Sequence, residues 1–253
     1  MRFKDKVALI TAVGSGIGRA TAEIMAAEGA VIVGVDNDPQ RLDMAVEALN
    51  MSGGRASGHC IDALNQAEVD DAVARTAKDV GIDILVNAVG GSTIIPRPSA
   101  LVEEHSLDDW QRVINFNLNG TFLFTHAVVP VMKRQRSGKI VNLASIAGRG
   151  MSVASGAAYA AAKGGIIAFT RKLSYELGPF GITINAIAPS LTLTERIRPH
   201  WNQRSPEAQA VQIESTPLRR VAEASDQAKV ICFLASSDAD FVTGLTIDVT
   251  GGQ

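Results

Sequence analysis

Aromatic side chains and excess charge are both scarce in this chain of 253 residues. Phe, Trp and Tyr make up only 5% of the sequence, so its 46% of hydrophobic residues predict a core built from Ala, Val, Ile and Leu. The 24 basic residues nearly balance the 26 acidic ones, and a formal charge of −2 creates no field that would attract a polyanion. The sequence therefore predicts no nucleic-acid partner and no membrane partner.

Cysteines and long hydrophobic runs are scarce as well. Cys60 and Cys232 lie in apolar runs without CxxC spacing or neighbouring metal-ligand clusters, so we expect two buried free thiols and no metal site. No segment reaches the roughly 18 apolar residues of a membrane span, and glycines interrupt the first apolar run too soon for a signal sequence. These absences predict a cytoplasmic protein.

Short runs rich in β-branched residues recur along the chain. They are apolar throughout rather than alternating, which is typical of strands buried on both faces of a parallel sheet. The predicted strands are residues 7–12, 31–35, 84–89, 139–145, 182–188 and 245–249, with a weaker seventh at 55–61.

Longer segments with helical spacing separate most of these strands. They are residues 17–28, 39–50, 66–79, 107–134, 157–177 and 223–236. We find no internal repeat and no Pro/Ser-rich linker. The sequence therefore predicts a single domain over residues 1–253 with an α/β fold, a Rossmann-like doubly wound parallel sheet of about seven strands with helices on both faces.

A glycine-rich turn, TAVGSGIG over residues 11–18, joins the first strand to the first helix. Glycines let backbone N–H groups approach a pyrophosphate at a helix N-terminus. Asp36 ends the second strand 18 residues after Gly18, where a carboxylate can hydrogen-bond an adenosine ribose. The strict GxGxxG spacing is absent, so a plain tight turn and a solvated Asp36 are the alternatives.

Tyr159 and Lys163 lie four residues apart and therefore share one face of a helix. A nearby ammonium favours the phenolate and lowers the pKa of a tyrosine from about 10, so that the phenol can act as acid or base. A lone YxxxK match is also common on helix surfaces, but the surrounding alanines argue against a charged exposed face.

Together these motifs resemble the short-chain dehydrogenase/reductase family over residues 6 to 252. The family's TGxxxGxG turn is matched at Thr11, Gly16 and Gly18, with Ala12 in place of the first glycine. Its NNAG motif appears as residues 87–90, where Ala88 replaces the second Asn. From its position, we expect Asn87 to brace the sheet more than to meet substrate.

The resemblance implies four catalytic residues, Asn117, Ser145, Tyr159 and Lys163. Ser145 would hydrogen-bond the substrate oxygen while Tyr159 moves its proton. Lys163 would lower the pKa of Tyr159 and hold the nicotinamide ribose, and Asn117 would hold a water. Ser145 stands 14 residues before Tyr159, about one more than is usual, and a strand-end turn residue is its alternative reading.

The resemblance also implies a bound nicotinamide dinucleotide. The implied cofactor residues are Thr11, Ser15, Gly16, Ile17, Gly18, Asp36, Asp62, Ala63, Asn87, Gly90, Tyr159, Lys163, Pro189 and Thr194. Asp62 would contact adenine, although capping the third helix is an alternative, and Thr194 would face the carboxamide. Ser190 and Thr250 stand where the family has glycine and aspartate. Because Asp36 would repel a 2′-phosphate, NAD(H) is the expected cofactor.

We therefore expect an NAD(H)-dependent oxidoreductase that interconverts a secondary alcohol and a ketone, and, as the family commonly forms, a homotetramer. An NADPH-dependent 3-oxoacyl-[acyl-carrier-protein] reductase and a non-catalytic dinucleotide-binding regulator are the alternatives. Residues 190–216 would form a substrate lid. Its basic residues Arg196, Arg198, His200 and Arg204 either clamp an anionic substrate or lie solvated on the outer face. In the second case Ile197 and Trp201 would face a neutral, apolar alcohol.

Overall fold

A seven-stranded parallel sheet forms the centre of the computed structural model, which describes residues 1–152 and 155–253. Its strands are β1 Val7–Thr11, β2 Val31–Asp36, β3 Arg55–Cys60, β4 Ile84–Asn87, β5 Gly138–Leu143, β6 Ile182–Pro189 and β9 Thr246–Val249. Two further strands of two residues each, β7 Thr192–Leu193 and β8 Ala222–Glu223, pair in parallel outside this sheet. The sheet order is β3-β2-β1-β4-β5-β6-β9. The order reverses beside β1, between β1 and β4, where α/β sheets of this kind form a crevice.

Nine α-helices connect and cover the strands in the described part of the chain. They are α1 Gly16–Ala27, α2 Pro39–Met51, α3 Gln66–Asp79, α4 Leu107–Ile114, α5 Gly120–Gln135, α6 Ala157–Leu177, α7 Arg198–Asn202, α8 Pro206–Glu214 and α9 Ala224–Ala235. The predicted fold class is confirmed, and the predicted strands and helices begin and end within about two residues of those expected. The short elements β7, β8, α7 and α8 were not predicted.

The apolar strands have this composition because both faces of the sheet are buried. Along β1, Ala8 and Ile10 belong to a core that includes Met25 of α1 and Ile231 of α9. The intervening residues of β1 pack into the opposite core, which includes Phe124 of α5. Alternate side chains thus enter different cores, which is why residues 7–10 are all apolar.

Helices α4 and α5 were predicted as one continuous helix and are joined by a wider, π-helical turn at Asn115–Asn119. Such turns insert an extra residue into a helix and occur frequently at functional sites. Here the turn contains Asn117, whose side chain is completely buried. Its backbone carbonyl accepts a hydrogen bond from the Thr121 hydroxyl at 2.9 Å.

Polar side chains link the middle strands beneath the crevice. The Asn87 amide donates to Thr125 Oγ1 at 3.0 Å and to Asn142 Oδ1 at 2.8 Å. Asn142 in turn donates to Thr170 Oγ1 on α6 at 2.9 Å. Asn87 therefore braces β4 against β5 and the helices, which is the role expected from its position.

Both cysteines are free thiols, but the expectation that both are buried is wrong for Cys60. Cys60 ends β3, an edge strand, and its side chain is exposed, whereas Cys232 belongs to α9 and is buried in the core. Among the described residues no helix is long and apolar enough to cross a membrane.

Candidate active site

A cleft of about 980 Å³ opens at the carboxyl ends of the strands. Ten of the predicted site residues line it, namely Ser15, Gly16, Ile17, Gly18, Gly90, Ser145, Tyr159, Lys163, Pro189 and Thr194. The other predicted site residues lie behind or beside its walls: Thr11, Asp36, Asp62, Ala63, Asn87 and Asn117. The chain thus brings most of the predicted site together from positions far apart in the sequence.

The glycine-rich turn places the start of α1 against the cleft. A Cβ on Gly18 would lie 2.4 Å from the Ala12 carbonyl oxygen, so a glycine is required for the helix to pack on the strand. Ala12 itself has a φ of 53° and Gly16 a φ of 59°. The left-handed region costs a non-glycine residue about 1 kcal/mol, so Ala12 is strained where the family has glycine.

Thr11 links the carboxyl ends of the two central strands, β1 and β4. Its hydroxyl oxygen accepts hydrogen bonds from the backbone N–H groups of Ala88 at 2.9 Å and Val89 at 3.1 Å. The side chain is buried and lies below the cleft. Its contacts position the turn and the end of β4, and the predicted cofactor contact stays a prediction.

Asp36 supports the glycine-rich turn from the end of β2. Its carboxylate accepts hydrogen bonds from the backbone N–H of Gly14 at 2.9 Å and of Asp38 at 3.1 Å. A Cβ on Gly14 would lie 2.8 Å from Asp36 Oδ2, so only glycine permits this approach. Asp36 is therefore fixed beside the turn and is not the freely solvated residue of the alternative reading.

Two arginines line the same end of the cleft and were missed by the sequence analysis. Arg41 lies in the first turn of α2, beside Gly14, and pairs with Asp38 at 3.1 Å. Arg19 lies on α1 and pairs with Glu23 at 3.1 Å. The position of Arg41, five residues after Asp36, is a signal that could have identified it.

Asp62 and Ala63 lie near the end of β3, outside the cleft lining. Asp62 Oδ1 accepts a hydrogen bond from the Leu64 N–H at 2.9 Å. The side chain that caps α3 belongs to Asn65, which accepts from Ala67 and Glu68. The alternative reading of Asp62 as the helix cap is therefore wrong, and its adenine contact stays a prediction.

Ser145 and Tyr159 both line the cleft, and the Ser145 hydroxyl acts on the Tyr159 phenol to favour the phenolate. Ser145 Oγ also accepts from the Ala147 N–H at 3.1 Å at the start of a short 3₁₀ turn. The reading of Ser145 as a strand-end turn residue is therefore confirmed, and its catalytic contact with substrate stays a prediction. The extra residue in the spacing between the two has not separated them.

The pKa of Tyr159 is raised, because burial penalises the phenolate more than its neighbours stabilise it. The hydrogen bond from Ser145 and the charge of Arg196 act in the opposite direction. Lys163 was expected to lower the pKa of Tyr159, but its Nζ donates to the Leu143 carbonyl at 2.7 Å and lies 5.6 Å from the centroid of the tyrosine ring. The cation that acts on Tyr159 in this structure is Arg196.

Lys163 is almost completely buried, and burial lowers its pKa to about 7, with a further contribution from Arg196. Between this value and the unfolded pKa of about 10.4 the unfolded chain binds the extra proton, so stability rises with pH. Burial raises the pKa of Cys232 to about 12, so above about pH 9 the unfolded thiol loses a proton that the folded thiol keeps, and this offsets the effect of Lys163. The contribution of Lys163 to the free energy of unfolding can therefore be measured between roughly pH 7 and 9.

Replacing Lys163 with Met should remove this pH dependence. We expect the free energy of unfolding of the wild-type protein to rise by ~2 kcal/mol more between pH 7 and 9 than that of Lys163→Met. Urea unfolding at three pH values in the absence of cofactor measures the difference. Parallel pH profiles for the two proteins would show that the pKa of Lys163 is not lowered in the folded state.

Asn117 forms the floor of the cleft beneath two glycines. Its Oδ1 accepts from the Gly91 N–H at 2.9 Å, while Nδ2 donates to the carbonyls of Gly91 at 3.0 Å and Val113 at 2.9 Å. A Cβ on Gly90 would stand 2.8 Å from Asn117 Oδ1 and 2.9 Å from Lys163 Nζ. The side chain is thus engaged by backbone, and its binding of a water stays a prediction.

The cleft has the features that a dinucleotide requires. Gly14 and Gly16 leave a cradle at the start of α1 that side chains would fill, since a Cβ on Gly16 would lie 3.1 Å from Thr194 Cγ2. Thr194 Oγ1 is buried and has no hydrogen-bond partner in the structure. An unsatisfied hydroxyl in a polar cleft is suited to an amide ligand such as the nicotinamide carboxamide.

Comparison with known proteins gives consistent matches along the chain. A family model described as enoyl-(acyl carrier protein) reductase matches residues 11–253. The chain is 39% identical to the (2S)-[(R)-hydroxy(phenyl)methyl]succinyl-CoA dehydrogenase subunit BbsD of Thauera aromatica, over 100% of this chain and 98% of that protein. It is 37% identical to levodione reductase of Leifsonia aquatica, over 100% and 95% respectively.

The fold is similar to that of solved structures at comparable identity. One is the crystal structure of a 3-oxoacyl-[acyl-carrier protein] reductase with bound NAD from Brucella melitensis, with a TM-score of 0.90 and 35% identity. The match covers 99% of this chain and 92% of that one. With the sheet order, the glycine-rich turn and the Ser145–Tyr159 pair, these similarities establish that the chain belongs to the short-chain dehydrogenase/reductase family of oxidoreductases.

Proposed function

We propose that this oxidoreductase uses NAD(H) to interconvert a secondary alcohol and a ketone, with Tyr159 as the general acid/base. The observation that carries the proposal is that Ser145, Tyr159 and Lys163 line one cleft together with the glycine-rich turn. A phenol and a hydroxyl that line the same cleft can both reach one substrate oxygen. A bound nicotinamide would supply or accept the hydride there.

Each residue of the proposed catalytic set then has a physical task. Ser145 Oγ holds the substrate oxygen, and Tyr159 takes the alcohol proton or returns it to the ketone. Lys163 holds the nicotinamide ribose, and Thr194 receives the carboxamide with its buried hydroxyl. Asn117 fixes the backbone of Gly91 at the floor of the cleft and would hold the water that leads to bulk solvent.

NAD(H) is proposed as the cofactor because Asp36 is fixed beside Gly14, where its charge opposes a 2′-phosphate. The Brucella melitensis relative with bound NAD supports the same assignment. Arg41 and Arg19 favour the second candidate, an NADPH-dependent 3-oxoacyl-[acyl-carrier-protein] reductase, because guanidinium groups at this end of the cleft can receive a phosphate. The complete catalytic set argues against a non-catalytic regulator.

An activity panel tests the proposed function. The purified protein is assayed with secondary alcohols and with ketones, including 3-oxoacyl thioesters, in the presence of each of the four nicotinamide cofactors. We expect turnover of an alcohol or ketone with NAD(H) at a higher kcat/KM than with NADP(H). Turnover confined to 3-oxoacyl thioesters with NADPH would favour the second candidate, and no turnover on the whole panel would favour a regulator.

Residues 190–216 are proposed as the substrate lid over the single domain. Arg198 donates to Glu223 Oε2 at 2.6 Å, so its charge is already paired outside the cleft. Ile197 lines the cleft, and Trp201 is buried. We propose that these two apolar groups face a largely neutral substrate and expect Arg198→Ala to leave KM unchanged on the best substrate found. A several-fold rise in KM would restore Arg198 as an anion clamp.

The proposed assembly is a homotetramer that packs through α5 and α6. Phe122 is 45% exposed on α5, and its ring lies 5.5 Å from His126 and 6.3 Å from Phe169 of α6. An exposed aromatic cluster on adjacent helices is typical of an interaction surface. Sedimentation at micromolar concentration should give four times 26.6 kDa for the wild type and smaller species for Phe122→Glu. A wild-type monomer would contradict this assembly.

A cytoplasmic location stays a prediction of the sequence.

A further inference from the structure

Two adjacent charged residues of segment 190–216 reach opposite walls of the cleft. Glu195 Oε2 accepts a hydrogen bond from the backbone N–H of Gly16, at the start of α1, at 2.7 Å. Arg196 Nη2 donates to the carbonyl of Gly90, just after β4, at 3.1 Å. Both residues line the cleft, so segment 190–216 spans it with one side chain of each sign.

Glu195 places a carboxylate at the position best suited to an anion. The first N–H groups of a helix have no partner within the helix, and they carry the positive end of its dipole. Gly16 provides such an N–H, and the 12-residue helix α1 follows it directly. The Glu195 carboxylate therefore takes the same kind of contact that a cofactor phosphate oxygen would take at this turn.

Arg196 is a cation in the cleft without a carboxylate partner among the described residues. The other cleft arginines on α1 and α2, Arg19 and Arg41, each have an ion pair at 3.1 Å. Arg196 instead has Tyr159 and Arg41 as its electrostatic neighbours, and burial lowers its pKa. Its two terminal nitrogens lie 2.6 Å from where a Cβ of Gly91 would stand, so this glycine makes room for the guanidinium.

The two side chains lie across the path that joins the two ends of a dinucleotide. The adenosine end is at Asp36 and the nicotinamide end at Tyr159 in the proposed function, and the pyrophosphate between them carries two negative charges. Glu195 and the pyrophosphate have like charge and compete for the same N–H. A guanidinium that lines the cleft and has no carboxylate partner among the described residues is the complementary group for such a pyrophosphate.

We propose that Glu195 and Arg196 exchange partners when a dinucleoside pyrophosphate enters the cleft, so that Arg196 binds the pyrophosphate and Glu195 gives up its place at the turn. Glu195 releases the Gly16 N–H to a phosphate oxygen, and Arg196 pairs with the pyrophosphate in place of the Gly90 carbonyl. The inference rests on the dinucleotide of the proposed function. Its consequence is that the two residues act in opposite directions on affinity, because Glu195 favours the closed segment and Arg196 favours the ligand.

Calorimetric titration with ADP-ribose tests the exchange. This probe contains the pyrophosphate and lacks nicotinamide, so binding is measured without turnover and without a substrate. We expect Glu195→Gln to bind ADP-ribose about three- to tenfold more tightly than the wild type, because an uncharged amide competes less for the Gly16 N–H. Arg196→Gln should bind about tenfold more weakly, as the loss of one charge-assisted contact predicts.

Two matched variants control for charge changes on the same segment. Arg198→Gln removes a charge that is paired with Glu223 outside the cleft, and Glu207→Gln removes an exposed carboxylate on α8. Both should bind ADP-ribose within about twofold of the wild type. Unfolding midpoints without ligand should be equal for wild type and Arg196→Gln, which separates a lost contact from a damaged fold.

The outcomes are distinct for the inference and for the proposed function. Tighter binding by Glu195→Gln together with weaker binding by Arg196→Gln supports the exchange. Unchanged or weaker binding by Glu195→Gln, or unchanged binding by Arg196→Gln, overturns the exchange while leaving the cofactor assignment intact. A wild-type protein that does not bind ADP-ribose at millimolar concentration overturns both the dinucleotide and the exchange that rests on it.

Discussion

Replacing Tyr159 with Phe should reduce kcat by about 10²- to 10⁴-fold, the range that general acid/base catalysis contributes. The substitution removes only the phenolic hydroxyl, and the half-buried ring keeps its contacts with the small apolar cluster that includes Ile95 and Ala158. We therefore expect the affinity for the cofactor and the unfolding midpoint to stay close to those of the wild type. Steady-state kinetics on the best substrate of the panel measure the loss.

The chain offers a matched control for this substitution. Tyr175, the other tyrosine, lies near the end of the same helix and is 65% exposed, with Arg171 against its ring. Tyr175→Phe also removes one phenolic hydroxyl from α6 but should leave kcat unchanged. If Tyr159→Phe retained kcat within about threefold of the wild type, Tyr159 would not be the proton donor, whatever its position.

The pH dependence of kcat adds a second readout for the same residue. Burial raises the pKa of Tyr159 in the structure, so the phenol is protonated at neutral pH and suited first to donating a proton to a ketone. Oxidation of the alcohol needs the phenolate and should therefore accelerate with rising pH. The residual rate of Tyr159→Phe should not show this dependence on pH.

The fold was predictable because its signals are local. Each strand buried on both faces reads as a continuous apolar run, as β1 does, and each crossover helix has its own periodicity. The glycine-rich turn was predictable for the same reason, since the close approach of Gly18 to Ala12 involves residues six apart. Tyr159 and Lys163 were singled out by their spacing on one helix face, whereas Asn117 and Ser145 were located by resemblance to the family.

The rest of the site depends on contacts between distant residues, which no local pattern contains. Glu195 meets Gly16 across 179 positions of sequence. The π-helical turn around Asn117 is also invisible in the sequence, because one helical pattern runs through residues 107–134. The pKa of Tyr159 was expected to be lowered by Lys163, but the ammonium turns to the Leu143 carbonyl and burial dominates.

Charges of both signs lie at the proposed adenosine end of the cleft, so the preference between NAD(H) and NADP(H) has to be tested by substitution. The expected preference for NAD(H) was based on the Asp36 carboxylate alone. The structure adds Arg41, which lies against Gly14 and lines the cleft while pairing with Asp38. A fixed carboxylate and a guanidinium that can change partners thus act in opposite directions on a 2′-phosphate.

We expect the fixed carboxylate of Asp36 to dominate, so that NADH binds at least about tenfold more tightly than NADPH, a difference of ~1.4 kcal/mol. Asp36→Asn should narrow this ratio by about tenfold, mainly by strengthening NADPH binding, because the charge that repels the 2′-phosphate is removed while an acceptor for the Gly14 N–H remains. Asp43→Asn, which removes an exposed carboxylate from α2, is the matched control and should leave the ratio unchanged.

The variant Arg41→Gln separates the two cofactor assignments. If Asp36 sets the preference, this substitution widens the ratio of NADPH to NADH dissociation constants only slightly, because Arg41 remains bound to Asp38 when NADH enters. If the protein is instead an NADPH-dependent reductase, wild type binds NADPH more tightly and Arg41→Gln loses about tenfold in NADPH affinity alone. Titration of both reduced cofactors by fluorescence resolves these outcomes without a substrate, and tighter binding of NADPH by the wild type would overturn the NAD(H) assignment.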